Sequence, residues 1–307
     1  MSAPAPLAII GPTASGKTAL AIALAKAEPC EVVSMDSMQV YRRMDIGTAK
    51  ATAQEQAAVA HHMLDLVEPS ESFDLSRFQT GALAAIVGIE SRGARPLLVG
   101  GTGLYVQAVV DELELPGQFP EVRAELDADP DTESQYRRLE ALDPLAASRM
   151  EPNNRRRMLR ALEVTVGSGR PFSSFGPGME TYPPNRFTQI GMSVEREELN
   201  QRIVERYQRQ LDNGLLEEIR ALVDSPGGMS VTAAQALGYK EFVDHLAGRQ
   251  SLEDALTLAI NRTRRFARRQ MRWFRRDPRI TWFDASNPDQ LLSLVQEHLA
   301  ASSSSDD

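Results

Sequence analysis

A stretch near the N-terminus combines glycines, a lysine and a threonine at the spacing of a phosphate-binding loop. It reads Gly11-Pro12-Thr13-Ala14-Ser15-Gly16-Lys17-Thr18. In such a loop successive backbone N–H groups point inward at an anion, and the N-terminus of the following helix adds partial positive charge. Lys17 would supply a point charge for phosphate oxygens, and the Thr18 hydroxyl is the expected Mg²⁺ ligand. These residues therefore predict a site for a phosphate or diphosphate group.

The sequence on either side of this loop favours the same interpretation. An apolar run, Leu7-Ala8-Ile9-Ile10, is typical of a buried strand, and residues 18–27 are rich in the helix formers alanine and leucine. Strand, glycine-rich turn and helix thus follow in the order that a phosphate loop requires, which disfavours a chance glycine-rich turn. A nucleotide and another pyrophosphate ester are both compatible with the loop.

Two further motifs follow predicted strands. A strand over residues 31–34 leads into Asp36-Ser37-Met38-Gln39, and a strand over residues 96–99 leads into Gly100-Gly101-Thr102-Gly103-Leu104-Tyr105. The carboxyl ends of parallel strands meet at one edge of a sheet, so both motifs should wall one cleft with the phosphate loop. The alternatives are that Asp36 caps a helix or turn, and that the second glycine turn only allows close helix–strand packing.

The order of these elements predicts an α/β fold with a parallel sheet core like that of the P-loop nucleoside-triphosphate hydrolases. Further strands are predicted over residues 62–67 and 187–192, and the alternation is interrupted near Leu115-Pro116-Gly117 by a helical pattern from 121 to 166. We therefore expect a first core segment over 1–117, a helical insertion domain over 118–183, a second core segment with C-terminal helices over 184–301, and a disordered tail over 302–307.

Composition places the chain among ordinary globular proteins. Of its 307 residues 42% are apolar and 25% charged, and its single cysteine excludes an internal disulfide and a cysteine-based zinc site. No apolar run approaches membrane-spanning length and none resembles a signal peptide, which predicts a cytoplasmic protein. The net charge of −8 argues, taken alone, against a nucleic-acid partner.

The charge is segregated along the chain, so a basic surface can exist on this acidic protein. Residues 111–133 hold nine acids and one base, whereas residues 262–276 hold eight arginines and no acid. These arginines flank the apolar stripe of a helix predicted over 251–276, so we expect some of them to pair with the protein's own acids. Changes at Arg265 or Arg269 should then cost stability as well as binding. A second cluster, Arg155 to Arg160, follows a predicted Asn154 cap and forms either an interaction surface or a solvated face.

Taken together, the motifs resemble those of the tRNA dimethylallyltransferases, bacterial enzymes that prenylate the adenine just 3′ of the anticodon. The resemblance rests on residues 11–18, residues 36–41 running into 44–50, residues 100–105 and residues 157–164, and it extends from Leu7 to about Leu299. One departure is Arg43, where the family pattern has a small residue such as glycine. The chain also lacks the C-terminal zinc-finger extension of eukaryotic relatives.

The resemblance implies that the phosphate loop, residues 11–18, holds the diphosphate of dimethylallyl diphosphate with Mg²⁺ rather than ATP. It also implies a nucleoside-kinase-like core with a helical insertion, and a monomer that binds the anticodon stem-loop of tRNA. The residues implied in catalysis are Asp36 as general base, with Lys17, Thr18 and Arg220 at the diphosphate. The residues implied in tRNA contacts are Asp36, Ser37, Met38, Gln39, Thr102, Arg123, Arg156, Arg157, Met158, Leu159, Arg160, Gln235, Ala236, Leu237, Gly238, Tyr239 and Lys240.

Two other classes of protein compete with this interpretation. An ATP-dependent small-molecule or nucleotide kinase would use the same loop, but it does not need the 36–39 motif or the arginine clusters. A non-catalytic P-loop regulator that binds RNA is disfavoured by the intact Lys17, Thr18 and Asp36. Incubation with tRNA and either dimethylallyl diphosphate or ATP separates these classes.

Overall fold

The computed structural model describes residues 4–176 and 178–303. The chain divides into two units, of which one comprises the chain up to Asp111 and from Pro184 onward, and the other is Glu112–Pro183. The second unit ends where the helical insertion was expected to end and starts earlier than the expected position 118. No helix within the described ranges combines the length and the apolar character that crossing a membrane requires.

The first unit is built on a six-stranded sheet in which every pairing is parallel. Its strands are β1 (Leu7–Ile10), β2 (Cys30–Ser34), β3 (His61–His62), β4 (Arg95–Gly100), β5 (Thr188–Ser193) and β6 (Thr281–Asp284), in the spatial order β3-β2-β4-β1-β5-β6. Leu7 lies opposite Leu97 of β4 on one side and Thr188 of β5 on the other, so β1 is central and fully buried. The predicted α/β class with a parallel core is confirmed.

Helices cover both faces of this sheet. They are α1 (Lys17–Ala25), α2 (Ala53–Ala58), α3 (Leu75–Ser91), α4 (Gly103–Val110), α9 (Arg196–Asp212), α10 (Leu215–Val223), α11 (Tyr239–Leu246), α12 (Leu252–Phe274) and α13 (Pro288–Ser303). Successive strand residues point to opposite faces, so Ala8 and Ile10 pack with α3 and α12, whereas Leu7 and Ile9 pack with α1 and α13. The sheet edge at the carboxyl ends of the strands is left for the loops.

The second unit is helical, as predicted. Its helices are α5 (Pro120–Ala128), α6 (Thr132–Leu142), α7 (Pro144–Ser148) and α8 (Arg155–Ser168). They enclose their own apolar cluster, in which Leu139 of α6 and Met158 of α8 are fully buried. Asn154 caps α8, because its side-chain oxygen accepts a 3.3 Å hydrogen bond from the backbone N–H of Arg157.

Backbone conformation explains where the predicted elements were wrong. The strand expected over 62–67 stops at His62, because Met63 and Asp65 have φ of 65° and 54°, which a strand does not allow. Helix α11 begins at Tyr239, directly after Gly238 with φ of 89°. Helix α13 extends to Ser303, so it includes the first two residues of the tail that was expected to be disordered over 302–307. Residues 304–307 lie outside the described part of the chain.

Candidate active site

The phosphate loop lies between β1 and α1, as its flanks predict. Gly11 has φ of 152° and Gly16 has φ of 90°, both in the region that favours glycine. A Cβ on Gly11 would lie 2.8 Å from the carbonyl oxygen of Met192, so no side chain fits there. The two glycines of the motif are therefore required by the backbone path of the turn.

The N-terminus of α1 has the features of an anion site. Its N-cap residue, Gly16, offers no side-chain hydrogen bond to the first turn, and that turn contains no acidic residue. The hydroxyl of Ser15 is buried and, among the residues that the structure describes, has no hydrogen-bond partner. Backbone N–H groups and one hydroxyl thus remain for an external acceptor, which is the chemistry that a phosphate group satisfies.

Lys17 is folded onto its own loop. Its Nζ donates a 2.6 Å hydrogen bond to the carbonyl oxygen of Pro12. Burial lowers the pKa of Lys17 from its ordinary value of 10.5 to about 8, with the Asp36 carboxylate opposing the shift and the Arg206 guanidinium adding to it. At neutral pH this half-buried side chain is therefore a cation, which an anion at the loop would stabilise.

Arg206 of α9 is a second cation at the loop, and the sequence motifs gave no indication of it. Its Nη1 donates a 2.9 Å hydrogen bond to the Thr13 hydroxyl, and its Nη2 lies 3.5 Å from the carbonyl oxygen of Gly47. Burial lowers its pKa, an effect that Asp36 opposes. None of the ion pairs recorded for the described residues involves Arg206, so a diphosphate would be its natural partner.

Arg220, which the family resemblance implied as a further diphosphate ligand, occupies a different environment. It lies exposed in the last turn of α10, and no hydrogen bond recorded for the described residues joins it to the phosphate loop. The sequence places Arg206 beside the buried stripe of α9 without assigning it a partner. The buried residues of α9, Leu199, Ile203, Tyr207 and Gln210, follow helical spacing, and Arg206 adjoins that stripe.

Asp36 lies two residues after the end of β2, at the same edge as the loop. Its Oδ1 accepts a 2.8 Å hydrogen bond from the backbone N–H of Met38, which shapes the turn. Its charge acts on the pKa of both Lys17 and Arg206, so the three charges are within electrostatic reach of one another. The turn and cleft roles that the sequence left open are compatible, because only one carboxylate oxygen is used in the turn.

The second glycine turn meets the Asp36 turn, as predicted. The backbone N–H of Ser37 lies 3.4 Å from the hydroxyl of Thr102. The glycines beside Thr102 serve close packing, because a Cβ on Gly100 would lie 2.5 Å from the Met35 carbonyl oxygen and one on Gly103 would lie 2.4 Å from the Trp273 ring. Close packing thus accounts for these two glycines.

The loop over residues 45–47 is held from α10 and α11. The Glu218 carboxylate accepts hydrogen bonds of 2.8, 2.7 and 3.1 Å from three successive backbone N–H groups, those of Asp45, Ile46 and Gly47. The Tyr239 hydroxyl donates a further 2.7 Å hydrogen bond to the same carboxylate. Glu218 is a second residue that the sequence motifs did not indicate, since nothing local to α10 points to a partner so distant in the chain.

Two expectations about residues near this loop are refined. The Gln39 amide is used internally, since its Nε2 lies 3.3 and 3.2 Å from the carbonyl oxygens of Thr48 and Ala49 and its Oε1 accepts from Ser34. Arg43 has φ of 63°, which explains why the family pattern has a small residue there, and its guanidinium pairs with Glu68 at 2.8 Å. At Arg43 the backbone thus adopts a conformation that favours glycine, although the residue is an arginine.

The arginines of α12 form an exposed basic face, which we call the α12 surface. Its members are Arg265, Arg268, Arg269, Arg272 and Arg275, all exposed. No ion pair recorded for the described residues involves any of them, whereas Arg262 pairs with the buried Glu241. The expectation that some arginines of this helix pair internally is therefore confirmed by Arg262, whereas no recorded ion pair supports the stability cost expected for changes at Arg265 and Arg269. Unpaired arginines on one helix are what a polyanion requires.

On α8 the arginines divide into two groups. Arg156 and Arg157 are exposed, and neither takes part in an ion pair recorded for the described residues. Arg160 is committed internally, since it donates at 2.6 Å to Glu163 and at 2.9 and 3.1 Å to the carbonyl oxygens of Pro116 and Gly117. Only the first two are therefore available to a ligand through their side chains.

The other residues implied in tRNA contacts from this unit are less accessible. Met158 and Leu159 are buried in the unit's core, with 0% and 1% of their surface exposed. Arg123 pairs with Asp127 at 2.8 Å, four residues further along α5. Helical spacing explains the burial, because Met158 and Leu159 follow the exposed arginines onto the opposite side of α8.

The segment 235–240 is exposed only at its ends. Gln235 and Lys240 line an open cleft of about 600 Å³, together with apolar side chains that include Val223 and Met229. Between them Ala236, Gly238 and Tyr239 are buried and Leu237 is half-buried. A contact from this segment to a large ligand therefore depends on Gln235 and Lys240.

The residues present fit Mg²⁺ only together with a phosphate ligand. Among the described residues no cluster of three or more His, Cys, Asp or Glu side chains could hold a metal ion. The half-buried Thr18, in the first turn of α1, supplies one oxygen beside the loop. Magnesium is commonly held by one or two protein groups, phosphate oxygens and water, which matches this arrangement.

The parallel sheet, the glycine loop and the cations around it define a P-loop phosphate-binding protein of the α/β class. The profile of the family described as IPP transferase matches residues 39–277, and that described as isopentenyl transferase matches residues 6–66. The chain belongs to the IPP transferase family.

Proteins of known name are similar to this chain over nearly its full length. A tRNA dimethylallyltransferase of Bifidobacterium animalis subsp. lactis is 44% identical over 290 residues, covering 92% of this chain and 83% of that protein. The full-length tRNA isopentenylpyrophosphate transferase of Bacillus halodurans matches with a TM-score of 0.72 at 40% identity, covering 97% and 96% of the two chains. A eukaryotic dimethylallyltransferase solved while acting on tRNA matches with a TM-score of 0.78 at 30% identity, covering 93% and 75%.

Proposed function

We propose that this protein transfers a dimethylallyl group from dimethylallyl diphosphate to the exocyclic amine of the adenine 3′-adjacent to the anticodon in tRNA, releasing diphosphate. Family membership and relatives named for this activity support tRNA prenylation. The structural observation that carries the proposal is the meeting of two half-buried cations, Lys17 and Arg206, with the Asp36 carboxylate at one sheet edge.

The chemistry requires stabilisation of a leaving group. The amine nitrogen forms a bond to the first carbon of the allyl chain while the bond from that carbon to the diphosphate oxygen breaks. Negative charge therefore grows on the diphosphate, and groups that bind this charge lower the barrier. Lys17, Arg206 and the uncapped amides of α1 would provide such groups.

Mg²⁺ belongs to this proposal as the partner of the diphosphate, held on the protein side by Thr18. When bound, it neutralises part of the charge on the diphosphate oxygens. The protein's own cations would act on the same oxygens. The loop residues would therefore bind and orient the donor whatever the exact position of the metal ion. Thr18 is thus a binding residue with a single oxygen to offer.

Asp36 is proposed as the general base. The amine carries a surplus proton once the carbon–nitrogen bond forms, and a carboxylate within reach can accept it. A well-placed base contributes about two to four orders of magnitude in rate. One of the carboxylate oxygens is bonded to the Met38 N–H, which orients the other.

The tRNA would be bound by the exposed arginines of each unit. The α12 surface and the pair Arg156 and Arg157 offer unpaired guanidinium groups, which phosphates attract strongly and in a salt-dependent manner. The target adenine must leave its stack to reach the sheet edge. We further propose that the protein acts as a cytoplasmic monomer, which sedimentation with and without tRNA would check.

An isotope-transfer assay tests the proposal. The protein is incubated with tRNA, Mg²⁺ and either labelled dimethylallyl diphosphate or ATP labelled at the terminal phosphate. We expect label in the tRNA from the first donor only, and none with Lys17→Met. Phosphorylation from ATP, without transfer from dimethylallyl diphosphate, would favour a kinase, an alternative that the named relatives do not favour.

A further inference from the structure

Gln270 of α12 connects the phosphate loop with the second glycine turn. Its Oε1 accepts a 2.9 Å hydrogen bond from the backbone N–H of Thr13, and its Nε2 donates a 2.8 Å hydrogen bond to the carbonyl oxygen of Gly101. Only 6% of Gln270 is exposed. Both ends of one buried amide are therefore used to join two turns that are far from it in sequence.

The fit around this amide is tight. A Cβ on Gly101 would lie 2.2 Å from Gln270 Nε2 and 2.9 Å from the carbonyl oxygen of Gly11. Gly101 thus lies against both Gln270 and the first residue of the phosphate loop. The absence of a side chain at Gly101 is what allows the amide to reach both turns at hydrogen-bond distance.

Thr13 is held from two helices at once. Gln270 of α12 binds its N–H, and Arg206 of α9 binds its hydroxyl at 2.9 Å. The loop around it contains Gly11, Ala14 and Gly16 with positive φ, an arrangement with many competing backbone conformations when it is not held. The position of Thr13 is therefore determined by tertiary contacts.

We propose that Gln270 is a positioning residue for the diphosphate site. It does not touch the donor; it fixes Thr13 and Gly101 so that the remaining loop amides face the diphosphate before it binds. Preorganised donors are more effective than mobile ones, because no ordering is required at the moment of binding. This inference rests on the proposed function, in which the loop holds the diphosphate.

A purely structural role for Gln270 would make a different prediction, and α12 offers a matched control. Thr263 lies two turns earlier on the same helix, is 3% exposed and shares a 2.8 Å hydrogen bond with the Tyr207 hydroxyl. Thr263→Val removes a buried hydrogen bond without reaching the loop. Gln270→Met removes the two hydrogen bonds to the turns at similar side-chain volume.

The experiment compares the full-length wild type, Gln270→Met and Thr263→Val by calorimetric titration with inorganic pyrophosphate and Mg²⁺, together with melting temperature and tRNA affinity. We expect Gln270→Met to weaken pyrophosphate binding about tenfold, and to raise KM for dimethylallyl diphosphate more than it lowers kcat. Both variants should lower the melting temperature by similar amounts. Thr263→Val should nevertheless leave pyrophosphate binding at the wild-type level. The tRNA affinity should stay unchanged in both.

Gln270→Glu gives a second measurement should the methionine variant fail to fold. Its carboxylate can still accept from the Thr13 N–H but faces the Gly101 carbonyl without a proton to donate, so pyrophosphate binding should again weaken. Wild-type-like binding by either folded variant, or equal losses in the Thr263 variant, would overturn the positioning role and leave the proposed function intact. A wild type that binds no pyrophosphate would overturn both.

Discussion

Arg206 Nη1 donates a 2.9 Å hydrogen bond to the hydroxyl of Thr13, which places on the phosphate loop a guanidinium from α9 that takes part in no ion pair recorded for the described residues. The same side chain reaches the Gly47 carbonyl at 3.5 Å, within the loop that Glu218 holds. The conformation of the 45–47 loop is thus linked to the phosphate loop through one arginine. The contact of Arg206 with the phosphate loop distinguishes it from Arg220 as a candidate for binding the diphosphate.

We expect Arg206→Met to lower kcat/KM for dimethylallyl diphosphate about a hundredfold or more, because it removes a charge that stabilises the leaving diphosphate. Arg220→Met should change it by less than about twofold, because Arg220 is exposed on α10. Steady-state kinetics with one tRNA checks both variants. The reverse order of effects would restore the ligand implied by the family resemblance.

Asp36→Asn should abolish transfer while leaving the binding of pyrophosphate and tRNA nearly intact. The amide keeps the shape of the side chain and can still accept from the Met38 N–H, but it does not take up a proton. The loss in single-turnover rate should be about a hundredfold or more. A variant that turns over at a near-normal rate would remove Asp36 from its role as base.

Pyrophosphate affinity should fall as the pH rises through about 8. Burial lowers the pKa of Lys17 to about 8, so below that pH the loop carries the ammonium charge and above it the charge is lost. Titration of the wild type with pyrophosphate over about 1.5 pH units on either side of that pKa checks this. Lys17→Arg, whose guanidinium stays charged, should abolish the decline; a decline that persists there would assign it to another group.

Charge reversal on the α12 surface should weaken tRNA binding without affecting stability. Arg269→Glu changes an exposed arginine with no recorded ion pair, so the melting temperature should stay at the wild-type value while tRNA affinity decreases. The salt dependence of binding should also decrease, by about one unit of log–log slope for each phosphate that is no longer neutralised. Arg262→Gln is the control, because it breaks the pair with buried Glu241 and should lower the melting temperature. Equal stability losses would mean that Arg269 has a structural role.

On α8 we expect Arg157→Glu and Arg160→Glu to behave differently. Arg157 is exposed, so its reversal should reduce tRNA affinity in a filter-binding assay and leave the fold unchanged. Arg160 bonds Glu163 and two carbonyl oxygens, so its reversal should destabilise the helical unit in thermal unfolding. An unchanged tRNA affinity in Arg157→Glu would show that this face of α8 does not contact tRNA.

Most of the secondary structure near the site could be predicted because it depends on local patterns. The apolar run of β1, the glycines at positions 11 and 16, and the Asn154 cap act over a few residues, and the structure agrees with each. The strand expected over 62–67 was wrong because its limit is set by two residues with positive φ, a property that apolar content does not reveal.

By itself the sequence determined the parallel α/β core, the phosphate loop between β1 and α1, and the meeting of the Asp36 and Thr102 turns at one sheet edge. Strand order along the chain and the geometry of glycine are sufficient for these features. Only the tertiary structure decided which contacts Arg206, Gln270 and Glu218 make near the loop, and which arginines among the described residues take part in ion pairs. The physical reason is that the role of a charged or amide side chain depends on the group that it contacts. Here those groups lie more than a hundred residues away in the chain.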